Sequence, residues 1–101
     1  MRKYFLAVLF LLAGAGAAAA ADTRVEIRNF HFAMDVTVPA GTIVTWTNRD
    51  DEPHTVTSVD GQFRSPALDQ DQSYSFRFEK PGIYRYVCSV HPQMTATVTV
   101  K

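Results

Sequence analysis

Ile83-Tyr-Arg-Tyr-Val-Cys-Ser-Val-His-Pro-Gln-Met-Thr-Ala-Thr-Val-Thr-Val100 reads as a strand, a loop and a second strand. From Ile83 to Cys88 the side chains alternate in character, which puts Tyr84, Tyr86 and Cys88 on one face. Alternation resumes at Thr95 and runs to Lys101, with Ala96, Val98 and Val100 facing inward. Ser89 to Met94 is then a short loop joining neighbouring elements, with a turn-forming Pro92 inside it.

The same period of two recurs upstream. Ser73-Tyr-Ser-Phe-Arg-Phe78 alternates with Tyr74, Phe76 and Phe78 inward, and Glu79-Lys-Pro-Gly82 is a turn. Thr42 to Asn48 is rich in β-branched residues and carries the sole tryptophan, Trp46. Pro39-Ala-Gly41 turns the chain into it from a short strand at Val36 to Val38. Arg24 to Arg28 alternates, and Asn29-Phe-His-Phe32 continues it loosely. Arg49 to Pro53 is a charged loop. His54 to Val59 is predicted as a strand with His54, Val56 and Ser58 on one face, and Asp60 to Gln72 as a long surface connection. About seven short strands, regular turns and no helical period from Asp22 onward predict an all-β, two-sheet Greek-key β-sandwich of about seven to eight strands.

Arg2 and Lys3, an apolar run from Tyr4 to Leu12, and small residues from Ala13 to Ala21 form the order of a cleavable secretory signal. Residues 1–21 are expected to be removed near Ala21, leaving 22–101 as one domain. The alternative, a retained membrane anchor, lacks a basic stop signal after the small residues. An exported, periplasmic protein without a stable membrane anchor is expected. Without Arg2 and Lys3 the chain is mildly acidic and has no basic cluster, so nothing points to nucleic acid as a partner. Such a domain buries only roughly 60% of its unfolded surface and is marginal without help. Small exported domains usually get that help from disulfides, which one cysteine cannot form within the chain. A monomer is the default expectation.

Taken singly, Cys88 reads as a core cysteine, His91 as a surface histidine and Met94 as core filler. Taken together they read differently. They stand three apart beside a strand end, and a second histidine, His54, follows Pro53 far upstream. One thiolate, two imidazoles and one thioether are the donor set of a mononuclear blue-copper site, with a trigonal Cys/His/His plane and a long axial Met. Thiolate and thioether suit Cu(I), and imidazole suits both oxidation states, so copper is favoured over zinc. The predicted ligands are His54, Cys88, His91 and Met94. His31 has no soft neighbour and is read as solvent-exposed. Asp50, Asp51 and Glu52 are read as a solvated acidic face, without calcium-loop spacing.

Asn48 to Ser58, Lys80 to Met94 and Thr97 to Val100 resemble the cupredoxins, most closely the plastocyanin-like, amicyanin-type branch. The resemblance covers nearly all of residues 22–101, and the Cys88–Met94 loop is its specific part. It implies one type 1 copper held by His54, Cys88, His91 and Met94. It also implies electron shuttling between redox partners, such as a c-type cytochrome or a dehydrogenase, docking near His91. Val90, Pro92 and Ala67 are expected to form an apolar patch there. The alternative function is a periplasmic copper chaperone or storage protein. An enzyme is not expected, because only His31 remains for further metal chemistry. Thr55 stands where many relatives have an Asn bracing the ligand loop, and Ala96 where relatives often have Gly. Phe30 to Val38 looks compressed against relatives and lacks the Pro many of them carry.

Overall fold

The structure, a computed structural model, describes residues 22–101, so the predicted leader lies outside the described residues. Eight strands follow one another: β1 (Asp22–Arg28), β2 (His31–Phe32), β3 (Val36–Val38), β4 (Thr42–Asn48), β5 (Thr57–Ser58), β6 (Ser73–Phe78), β7 (Gly82–Val87) and β8 (Thr95–Val100). They form two four-stranded sheets, ordered β2-β1-β4-β6 and β3-β8-β7-β5. The all-β sandwich is as expected. Each sheet is mixed: β1 lies parallel to β4, and β3 parallel to β8.

The alternation read from the sequence sets which side chains meet between the sheets. Val25 and Ile27 of β1, Val44 and Trp46 of β4, Tyr84 and Tyr86 of β7, and Val98 and Val100 of β8 are all buried. Trp46 is fully enclosed and forms the hub. It stacks on Phe63 and Tyr74, meets Phe78 and Tyr86 edge-on, and donates from Nε1 to the Tyr86 hydroxyl at 3.0 Å. Burial pushes the Tyr86 hydroxyl up to about 12, so it stays protonated. On the other face of β4, hydroxyl pairs Thr45–Ser75 and Thr47–Ser73 link β4 to β6 at 2.7 Å each. Gly41, at φ 96°, supplies the turn into β4 that a side chain would oppose.

Three expectations change. Asn29-Phe-His-Phe32 does not extend β1. Arg28 pairs with His31, so Asn29 and Phe30 are a two-residue hairpin loop, and both have positive φ (53° and 61°). That geometry suits Asn and Gly, and costs a residue such as Phe roughly 1–2 kcal/mol. His54 to Val59 is not one strand. Ser65 Oγ accepts the Val56 N–H at 2.8 Å, which interrupts the ladder and leaves β5 only Thr57 and Ser58. Asp60 to Gln72 is not merely a surface connection. It folds back antiparallel, bridging Thr57 to Arg64 and His54 to Leu68, and buries Phe63 and Leu68. Ala96 sits within β8 opposite Tyr86 and is not among the positive-φ residues, so no glycine is required there.

Candidate metal centre

Cys88 leaves the end of β7 and Met94 leads into β8. Pairing of Val87 with Thr95 fixes the two ends of the loop between them. Cys88 N–H donates to Met94 O at 3.1 Å and Met94 N–H to His91 O at 2.9 Å, so the loop closes on itself. His54 is held from the other side by reciprocal main-chain bonds with Leu68 at 3.1 and 2.7 Å. The result brings three of the four predicted residues to one point. Cys88 Sγ lies 3.8 Å from His54 Nδ1 and 3.9 Å from His91 Nδ1, and the three donor atoms are within 4.8 Å of one another. Cys88 and His54 are fully buried and His91 is half-buried. Met94 is buried at the end of the same loop.

The surroundings fix how these groups point. A carboxylate can only accept, so His54 Nε2–H donates to Asp50 Oδ2 at 2.8 Å, and Nδ1 is the ring nitrogen that faces Cys88. Asp50 also accepts the N–H groups of Asn29 and Phe30. Burial works against its charge, but the Phe30 N–H, His54 and the Asn29 N–H hold its carboxyl below the usual range. Buried Asn48 anchors the loop carrying Asp50, donating to Glu52 O and Leu68 O and accepting Asp50 N–H. Thr55 keeps the bracing its position suggests: Oγ1 accepts Ser89 N–H at 2.8 Å and lies 2.9 Å from Ser89 Oγ. Its own N–H donates to Cys88 Sγ at 3.4 Å.

The acidic-face reading therefore fails for Asp50. Its position four residues before His54, in a loop anchored by Asn48, was the signal available. Phe30 is the other residue the sequence did not flag; its ring meets His54 and His91 edge-on. His31, Val90, Pro92 and Ala67 are exposed, as expected. His31 Nδ1–H donates to Asn29 O and takes no part in the donor cluster.

Burial alone would raise the Cys88 thiol. The Thr55 N–H, the His91 imidazole and N–H, and His54 outweigh it, bringing the thiol from 9.0 down to about 6. In the metal-free protein the ultraviolet absorbance of the thiolate should therefore rise with a midpoint near about 6. The folded value lies below the unfolded one. The stability this contributes is thus complete above the unfolded value and disappears as pH falls through about 6. Denaturant titrations should show wild-type stability falling from pH 9 towards pH 6 relative to Cys88→Ser, and parallel curves would disprove the shift.

Donors bound at about 2.0–2.3 Å around a common ion stand roughly 3.5–4 Å apart in a trigonal plane. The sulfur-to-nitrogen separations here match that spacing, and a thiolate with two lone-pair imidazole nitrogens fits copper chemically. The fold and this site define a cupredoxin. A family model described as a cupredoxin-like domain matches residues 3–100, and the chain belongs to that family. Amicyanin-alpha of Methylorubrum extorquens is 38% identical over 90 residues, 83% of this chain and 76% of that protein. The amicyanin of Paracoccus denitrificans is 38% identical over 69 residues; the match spans 63% of this chain and about half, 53%, of that relative. Among solved structures, a purple cupredoxin from Nitrosopumilus maritimus has a TM-score of 0.74 at 34% identity, covering 79% of this chain and 100% of that one. A Cu(I) form of an amicyanin mutant has a TM-score of 0.72 at 31% identity, covering 79% and 82%.

Proposed function

We propose that this chain is a small exported type 1 copper protein that carries single electrons between redox partners. Residues 1–21 act as its leader and 22–101 as the working domain. The observation that carries the reading is the convergence of Cys88 Sγ with His54 Nδ1 and His91 Nδ1, all within 4.8 Å. His54, Cys88, His91 and Met94 would hold the copper, the thiolate and imidazoles as its strong donors and the Met94 thioether as a weak one. Copper bound there supplies one-electron Cu(I)/Cu(II) chemistry. The protein's part is to hold the donors in a fixed frame: Thr55 and Ser89 brace the thiolate side, Asp50 fixes the His54 tautomer, and burial of Cys88 excludes water.

His91 is the half-buried donor, and exposed Val90 and Pro92 flank it in sequence. That apolar mouth suits a small, transient interface with a c-type cytochrome or a dehydrogenase. An electron carrier needs no substrate cleft, so the reading is of a carrier and not an enzyme. The copper-chaperone alternative draws no support from the amicyanin and cupredoxin relatives. Titrating residues 22–101 with Cu(II) should give an intense visible band and a narrow copper hyperfine pattern, saturating at one equivalent. A pale, ordinary Cu(II) spectrum, or metal lost on gel filtration, would defeat the proposal.

A further inference from the structure

Part of the outer wall of the metal centre comes from outside the ligand loop. It comes from Phe30, in the hairpin between β1 and β2. The Phe30 ring centroid lies 5.1 Å from that of His54 and 5.0 Å from that of His91, edge-on to both at 83° and 82°. Phe30 is 40% exposed, so the residue that packs on the two imidazoles also faces solvent. A large aromatic is a poor choice for that turn, whose second position at φ 61° favours glycine. The turn is held by one carboxylate. Asp50 Oδ1 accepts the Asn29 N–H at 2.7 Å, and Oδ2 accepts the Phe30 N–H at 2.8 Å. The same Oδ2 accepts His54 Nε2–H at 2.8 Å. An unfavourable backbone conformation held by its surroundings beside a functional centre points to a role for the residue that adopts it.

We propose that Phe30 is a positioning residue that keeps both imidazoles turned towards Cys88 and slows exchange of the metal, with Asp50 tying this wall to His54. The inference rests on the reading that His54, Cys88 and His91 hold copper. Packed edge-on against both rings, Phe30 opposes the swing of either imidazole towards its side of the site. Removing the ring frees that motion without touching a donor atom.

Phe30→Gly separates this role from folding, because it makes the loop an Asn-Gly pair, the sequence this turn prefers. Transfer of Cu(I) from the loaded protein to a chromogenic Cu(I) chelator should speed up by about tenfold or more, the scale of losing a group that orients a ligand. Phe30→Leu should restore part of the retention. In the metal-free protein, the His54 and His91 ring resonances should show added motional averaging in Phe30→Gly. Asp50→Asn should accelerate amide exchange at Asn29 and Phe30 and also speed chelator transfer. A transfer rate for Phe30→Gly within twofold of wild type would overturn the proposal. So would a rate that rises only in step with lost stability of the metal-free protein. Freed Asn29 and Phe30 amides with unchanged transfer in Asp50→Asn would overturn the tie through Asp50. Should wild type never develop the intense thiolate band with Cu(II), the copper reading itself has failed, which is a separate result.

Discussion

Cys88→Ser should take up Cu(II) without colour. Cys88 is the only cysteine in the chain, so no second thiolate can substitute for it. A serine hydroxyl stays protonated near neutral pH, whereas the Cys88 thiol is drawn down to about 6. The intense thiolate band should vanish altogether, and the copper hyperfine pattern should widen to that of an ordinary nitrogen and oxygen site. Loss of a group that merely orients a ligand weakens metal binding by about 10–100-fold, so loss of the thiolate should exceed ~100-fold. The fold should survive, since the replacement is small and its hydroxyl can still accept the Thr55 N–H that now points at Sγ. Absorption and EPR spectra, with Cu(II) competition against a chelator, measure both effects. An intense band persisting in the serine protein would mean that the colour does not arise at Cys88.

Trp46→Ala should be the most damaging core substitution, and it should act on the sandwich rather than on the copper spectrum. Trp46 is completely buried and touches Phe63, Tyr74, Phe78 and Tyr86. Truncating a large buried aromatic costs about 3–5 kcal/mol. Here the Tyr86 hydroxyl also loses the indole donor it accepts from inside the core. Small domains have only about 5–15 kcal/mol in all. At ~4–8 °C per kcal/mol, the thermal midpoint of the metal-free protein should fall by more than ~12 °C. Trp46→Phe should lose much less, because it keeps most of the packing and gives up only the indole N–H. Below its midpoint, the alanine protein should still turn blue with Cu(II), since Trp46 packs on Phe63, Tyr74, Phe78 and Tyr86, whereas the donors are held by Asp50, Thr55 and one another. A shift of only a few degrees would show that Trp46 is not the hub.

What the chain disclosed in advance was whatever depends on period and chemistry. Val36 to Val38, Thr42 to Asn48 and Ser73 to Phe78 form strands at the residues that β-branched content, alternation and flanking turns marked. The convergence of Cys88, His91 and His54 followed from donor chemistry and the short loop, and the geometry shows it. What stayed hidden depends on side chains that take hydrogen bonds from the main chain. Ser65 breaks the strand expected from His54 to Val59 by capturing the Val56 N–H, and no period in the sequence announces such a capture. Asp50 is one of three consecutive acids, and only its spacing of four residues from His54 sets it apart as the one turned inward. Phe30 sits in a turn that its own residue type disfavours. Local rules therefore hid the reversal, and a distant carboxylate made it possible.

The position of β8 also governs the order in which the domain can be assembled. β8 is the last strand in sequence, yet it lies between β3 and β7 in its sheet. Until it is in place, Val36 to Val38 has no neighbour in that sheet, and the loop from Cys88 has no second anchor. Pairing strands as far apart in sequence as β3 and β8 is slow compared with local structure. A chain in which β8 has not yet docked therefore leaves the Cys88–Met94 loop held at one end only, and the Cys88, His54 and His91 donors come together once that strand is in place.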